Sequence, residues 1–289
     1  MSARTRMIDS ASAGNSAPTV VVSRDGTGIV YWTSGEGPGE GPPLLLVHGT
    51  AGVHERFAPL LPYLEPHATV HVMDRRGRGA SGDAPDYALE REFEDVAAVV
   101  ESIAEVSGSA VDVYGHSYGG QCAFGAALRT SNIRRLVLYE GWPPVMPEKL
   151  KFPAEVEERL DALVAAGDRG AALETFMREV VKVPEEDIGA IKAQPSWPAR
   201  VGAVHTITRE FRAFSDDLFD SEQAAKIRVP VLLLVGADTP DELKDDPETV
   251  AAALPDVRIA VLEGQQHLAD VLAPEFFAEH VLAFLREPR

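Results

Sequence analysis

Short apolar runs recur along the chain, each closed by glycine, proline or a cluster of polar residues. Leu44–Val47 is uniformly apolar, as expected of a strand covered on both faces. Residues 69–73, 110–114, 136–139, 231–235 and 258–262 read as strands too. Helical periodicity fills the intervals at 90–105, 119–129, 248–254 and 274–285. Two β-rich runs, 19–23 and 29–33, come earlier, with the hairpin signal Asp25-Gly26 between them. Residues 35–43 are rich in glycine and proline and read as loop. Alternating buried strands and helices predict an α/β protein with a mostly parallel sheet and helices on both faces. The opening hairpin supplies antiparallel edge strands.

One stretch breaks the alternation. Between Gly141 and Arg228 no buried strand is evident, and helical patterns at 154–166, 171–181 and 201–214 are separated by prolines. An all-helical insertion in an α/β frame reads as a cap. The predicted organisation is a disordered lead-in over 1–18, a core formed by 19–141 and 229–289, and a helical cap over 142–228.

Composition narrows the function. Hydrophobic residues make up 45% of the 289 and charged residues 25%, ordinary values for a globular protein. A net charge of −18 repels phosphate backbones, so a nucleic-acid partner is not expected. No apolar run approaches the roughly 20 residues that cross a bilayer, so no membrane partner is expected either. The single cysteine, Cys122, excludes an intramolecular disulfide and fits a cytoplasmic location. The lead-in lacks the apolar region of a secretory signal. The partner expected is a small-molecule substrate, with a homo-oligomer left open.

The sharpest motif is Gly115-His116-Ser117-Tyr118-Gly119, between an apolar strand and a small-residue helix. A tight strand-to-helix turn lifts a serine hydroxyl clear of the sheet, and flanking glycines leave room for the strained backbone. Ser117 is therefore the candidate nucleophile. The amide of Tyr118, at the helix start, faces a developing oxyanion. The amide of Thr50, in His48-Gly49-Thr50 after an earlier strand, is the second candidate donor. His267 lies just past the last predicted strand, where it can fold over the sheet edge as general base. His48 and His116 read as structural, and the other five histidines lack comparable placement.

In this order, the motifs resemble the α/β-hydrolase superfamily from about Val20 onward. The resemblance includes His48-Gly49, the run Asp74-Arg75-Arg76-Gly77-Arg78-Gly79-Ala80-Ser81-Gly82, the elbow around Ser117 and the late Gly264-Gln265-Gln266-His267. It implies an α/β-hydrolase fold with eight strands and the cap inserted after strand six. It implies neither a metal nor an organic cofactor, and it makes the arginine-rich run a brace for the nucleophile loop. Serine at 117 argues against the aspartate-nucleophile branches.

By the family's order the triad acid precedes the histidine, usually within G-x-x-D after strand seven. Here that region reads Gly236-Ala237-Asp238-Thr239, with Asp238 one residue early. Glu140, at the end of strand six, is the alternative, Asp241 a more distant one. Topology favours Asp238 slightly. In the cap region Trp142 and Met146 are the substrate-binding candidates, with Trp197, Phe211 and Phe214 as further wall. The function expected is hydrolysis of a carboxylic ester through an acyl-enzyme. A lactonase, a C–C bond hydrolase, an acyltransferase or a cofactor-free peroxidase-like enzyme would use the same residues, and a non-enzymatic binder is the remaining reading.

Overall fold

The computed structural model describes residues 6–7, 17–34, 41–146, 153–214 and 217–288. Its strands are β1 (Arg6–Met7), β2 (Thr19–Val22), β3 (Gly28–Ser34), β4 (Leu44–Val47), β5 (Val70–Asp74), β6 (Val111–His116), β7 (Ile133–Tyr139), β8 (Val231–Gly236) and β9 (Val257–Leu262). They form one sheet in the order β1-β2-β3-β5-β4-β6-β7-β8-β9. Pairing is antiparallel from β1 through β3 to β5 and parallel among the remaining strands.

The eight strands expected from sequence are β2 to β9. The two-residue β1 adds a ninth at the edge, opposite Thr19 and Val20. It falls within the lead-in expected to be disordered. The rest of that lead-in, apart from residues 17 and 18, lies outside the described residues, as do residues 35–40 of the glycine-rich loop.

Side chains alternate across a strand, so the central strands feed two cores. Leu45 and Val47 join one cluster, with α2 (Leu89–Ser107), α3 (Tyr118–Ala127) and α10 (Pro247–Ala253). Leu44 and Leu46 join the other, with α1 (Leu61–Leu64), α11 (Ala269–Leu272) and α12 (Pro274–Leu285). All four β4 side chains are fully buried, each worth about 1.5–3 kcal/mol in apolar transfer. No helix among the described residues is long and apolar enough to cross a membrane.

Between β7 and β8 run α4 (Ala154–Ala165), α5 (Arg169–Thr175), α6 (Glu185–Lys192), α7 (Trp197–Gly202), α8 (Ile207–Phe214) and α9 (Ser221–Ala224). The insertion therefore follows the sixth of the eight expected strands. Leu160, Leu173, Phe176, Ile191 and Ile207 pack in a cluster of the insertion's own, which also takes in Ala51 of the core.

Two helical patterns differ from their sequence reading. The pattern at 171–181 is an α-helix that widens into a π-turn over Phe176–Val180. That at 201–214 begins with the end of α7, passes through a 3-10 turn at Val204–Thr206 and finishes as α8; Gly202, a poor helix former, sits at the break. Helix α6 has no counterpart in the sequence reading. Its eight residues bury only Ile188 and Ile191, too few for periodicity to register. What starts it is local: Pro184 at the N-cap and three acids in the first turn.

Candidate active site

The parallel strands β4, β6, β7, β8 and β9 point the same way, and the candidate residues sit beyond their carboxyl ends, the usual ligand side of such sheets. Ser117 is the hinge between β6 and α3, at φ 53° and ψ −129°. A non-glycine residue there costs on the order of 1–3 kcal/mol. The turn is held by Ser117 N–H donating to Tyr139 O at 2.9 Å and Gly120 N–H to Ser117 O at 2.7 Å. Space is the reason for the neighbouring glycines: a Cβ on Gly119 would strike the carbonyls of Val47 and His48. Ser117 Oγ makes no hydrogen bond among the described residues, and serine–histidine contacts commonly tighten only when substrate arrives.

Tyr118 opens α3, so its N–H has no carbonyl to bond within the helix. Thr50 precedes Ala51, itself at φ 50°, in a turn where Gly52 N–H bonds to Gly49 O at 3.1 Å. Beneath this turn His48 donates from Nδ1 to Gly49 O at 2.9 Å and accepts the Arg75 N–H on Nε2 at 3.2 Å. Burial, aided by the Arg75 charge, holds His48 neutral, as those two bonds require.

His267 is fixed from three sides. Its Nδ1 lies 2.5 Å from Glu140 Oε2. Its carbonyl accepts a hydrogen bond from His116 Nε2 at 2.8 Å. The Tyr139 hydroxyl donates to the carbonyl of neighbouring Gln266. Both side chains of the His267–Glu140 pair are largely shielded, 16% and 7% exposed. Glu140 is itself strained at φ 43°. Its other oxygen accepts from Gly236 N–H at 2.8 Å and Thr239 Oγ1 at 2.7 Å. Three donors on one carboxylate fix its plane and direct Oε2 at the imidazole.

Of the two carboxylates weighed from sequence, Glu140 reaches His267 and Asp238 does not. Asp238 is exposed, and its side chain makes no hydrogen bond or ion pair among the described residues. Only its backbone serves the site, N–H bonding to Gln265 O at 2.9 Å. The topological preference for Asp238 is corrected accordingly. Thr239 occupies the aspartate position of the G-x-x-D spacing, and its hydroxyl points to Glu140.

A cavity of about 350 Å³ brings Thr50, Ser117, Tyr118, Glu140, Trp142 and His267 together. Phe176, Val180, Phe211, Phe214 and Val235 supply apolar wall. Trp142 is held by its indole N–H, 3.1 Å from Asp245 Oδ2. Met146 is not in the cavity lining; its N–H binds Asp245 Oδ1 at 3.0 Å, so this segment is a loop clamp. Trp197 is likewise outside the lining, packed in the cap cluster. Phe176, Val180 and Asp245 were not singled out from sequence. The π-turn that swings the first two inward has no sequence signature, and Asp245 sits in an acidic run that reads as solvated.

His54, Glu55 and Asp74 lie close enough to share an ion. Asp74, however, already accepts from the His54 N–H at 2.8 Å, His54 Nδ1 at 3.0 Å and the Ala80 N–H at 2.9 Å. Its carboxylate braces the arginine-rich loop.

Burial also makes the protein acid-sensitive. It pushes His48 and His116 well below 6.5 and His71 down to about 4. Well above pH 6.5 these imidazoles are neutral in both folded and unfolded chains and contribute no slope. Below it the unfolded chain takes up protons that the native state refuses, so stability falls as pH falls. Each proton is worth about 1.4 kcal/mol per pH unit. Asp95, raised to about 6 by burial, gains its proton in the folded state over part of this range and offsets about one of the three. The expected slope is a loss of about 2–3 kcal/mol per pH unit between pH 6 and 5, read from urea unfolding. A flat profile there would contradict the neutral-histidine assignment.

Comparison with known proteins identifies the family. Residues 44–280 match the alpha/beta hydrolase family. The chain is similar to an (E)-2-((N-methylformamido)methylene)succinate hydrolase of Acinetobacter baylyi, 26% identical over 252 residues, 86% of this chain and 91% of that one. It is also similar to the crystal structure of an alpha/beta hydrolase from Sphaerobacter thermophilus, with TM-score 0.74, 35% identity and coverage of 92% and 99%. A hydrolase structure from Pseudomonas aeruginosa aligns with TM-score 0.71 at 26% identity, covering 93% and 98%.

Proposed function

The chain belongs to the alpha/beta hydrolase family, and from that premise we propose that it is a serine hydrolase of carboxylic esters working through Ser117, His267 and Glu140. One observation carries the reading: the 2.5 Å contact from His267 Nδ1 to Glu140, on the rim of the cavity that also holds Ser117. With Nδ1–H donating to a carboxylate, Nε2 is the basic nitrogen, and the residue is in the tautomer that can take a serine proton. Ser117 Oγ adds to the ester carbonyl and His267 accepts its proton. The Thr50 and Tyr118 amides hold the oxyanion, an interaction worth about 2.7–4 kcal/mol per donor in related chemistry. His267 then protonates the departing alkoxide, and a water, deprotonated by the same nitrogen, cleaves the acyl-serine. The apolar wall around Trp142, Phe176 and Phe211 suits a small to medium acyl group whose reacting end is uncharged.

A fluorophosphonate probe tests the nucleophile directly. Purified protein is expected to label stoichiometrically on Ser117, to lose labelling in Ser117→Ala, and to hydrolyse p-nitrophenyl butyrate with the same dependence. Folded wild-type protein that neither labels nor turns over would end the serine-hydrolase reading.

A further inference from the structure

Among the described residues four non-glycine positions have positive φ: Ala51, Ser117, Glu140 and Lys182. The first three belong to the proposed oxyanion turn, nucleophile and acid. Strain of this kind concentrates where a side chain must be aimed, and the triad does not account for the fourth.

Lys182 follows the π-turn Phe176–Val180. Val181 N–H reaches back to Phe176 O at 3.0 Å and Val183 N–H to Met177 O at 2.9 Å. This wide closure leaves Lys182 at φ 58°, the left-handed position after a helix that glycine normally fills. The same turn brings Phe176, Val180, Val181 and Lys182 to one wall of the Ser117 cavity. Helix ending alone would be served better by glycine.

The charges lining the cavity single out this lysine. Apart from His267, the cationic residues lining it are Lys182 and Lys244. Lys244 Nζ is engaged, donating to Ala237 O at 2.9 Å with Asp241 at 3.7 Å. Lys182 is exposed and makes no side-chain hydrogen bond or ion pair among the described residues. Three of the four acids of the lining are committed to other partners, and the fourth is solvated as Lys182 is. Glu140 holds His267, Glu179 pairs with Arg159 at 2.8 Å, Asp245 accepts from Trp142, Val145 and Met146, and Glu242 is exposed. A chain of net charge −18 repels anions at long range, so an anionic substrate needs a local cation at the cavity.

We propose that Lys182 is a specificity residue that pairs with a carboxylate on the acyl part of the substrate, remote from the bond cleaved, so that the preferred substrates are monoesters of dicarboxylic acids. The proposal rests on the ester-hydrolase reading for the bond, but not for the anion site. The apolar wall takes the methylene spacer, Ser117 meets the ester carbonyl, and the ammonium meets the far carboxylate. Because Lys182 is exposed, such a pair is screened by water and acts mainly on binding.

Two readouts separate the proposal from the reading beneath it. The first compares p-nitrophenyl hemiglutarate with p-nitrophenyl butyrate. Lys182→Ala is expected to raise KM for the hemiglutarate ester about tenfold more than for the butyrate, with kcat for the two changing in parallel. Lys182→Glu is expected to widen that gap to about 100-fold, and added salt to narrow it in wild type. The second is calorimetric titration with glutarate alone, whose Kd is expected to rise about tenfold in Lys182→Ala. Lys182→Gly relieves the backbone and is expected to hold or raise Tm, which removes misfolding as an explanation. Equal losses on both esters, or a glutarate affinity indifferent to Lys182, would overturn the proposal while leaving ester hydrolysis intact. Lys182-dependent glutarate binding by a protein that cleaves neither ester would uphold the anion site and end the ester reading.

Discussion

Glu140→Gln is expected to lower kcat for p-nitrophenyl butyrate by about 10³–10⁴-fold, and Asp238→Asn to leave it within about twofold. The first figure is the loss that follows a wrong imidazole tautomer in a serine–histidine–acid triad. The local bonds dictate the same error here. Glu140 Oε1 accepts from two donors, Gly236 N–H and Thr239 Oγ1. In the glutamine variant that position must be taken by the amide oxygen, since an amide nitrogen would face two donors. The NH2 group is then turned toward His267 Nδ1, which must accept. The ring proton is forced to Nε2, where the proton of Ser117 has to go, and the imidazolium of the transition state loses its carboxylate. Asp238 reaches the site only through its backbone amide to Gln265, which asparagine preserves. Steady-state kcat with matched circular dichroism decides the matter: a Glu140→Gln enzyme retaining most of its turnover would remove Glu140 from the proposed triad.

The frame was legible because its signals are local. Leu44–Val47 and residues 231–235 are apolar throughout, and that follows directly from burial on both faces. Ser117 was legible because its elbow demands small residues at fixed offsets, whatever the rest of the chain does. His267 could be found from its place after the last strand. The proposed acid could not be chosen by spacing, because the choice is made in three dimensions. Glu140 and Asp238 both follow strand ends on the same sheet edge. What separates them is a φ of 43° at Glu140 and a hydroxyl at Thr239. One sign was present in the sequence: a threonine, not an aspartate, stands three residues after Gly236, and a hydroxyl donor there suits an acid supplied from elsewhere. Met146 failed for a related reason. Its nearness to Trp142 in sequence says nothing about which way the loop turns, and Asp245 turns it away from the cavity.

Glu210→Ala is expected to lower unfolding free energy by about 3–5 kcal/mol, while Arg212→Ala, on the solvent side of the same helix, changes it by less than about 1 kcal/mol. Polar residues of a cap helix read as solvated from sequence, and Glu210 is the exception. It is fully buried, reaching from α8 into the core to accept from Arg75 at 2.7 Å and from Arg78. Glu92 on α2 completes the set, taking Arg75 in two bonds of 2.9 and 2.7 Å. Two guanidinium groups and two carboxylates balance inside the protein. Deleting Glu210 leaves a buried excess of positive charge, and burial with the neighbouring Arg75 already lowers Arg78 to about 10. Glu210→Ala combined with Arg78→Met removes both members of the pair, and is expected to recover part of the loss because the remaining charges balance again. The exposed Arg212 pairs offer no such leverage, since water replaces them at little cost. The same network reaches the chemistry: the Arg75 guanidinium lies 4.6 Å from the centre of the Tyr118 ring and donates to His48 O at 3.3 Å. Loosening it disturbs the two backbone turns that carry the proposed oxyanion amides, so turnover is expected to fall in Glu210→Ala even at temperatures where the variant is folded. Urea unfolding and kcat measured on the same preparations check both halves: a Glu210→Ala protein within about 1 kcal/mol of wild type, or one folded and fully active, would show that the buried Glu210 pairs do not hold cap to core.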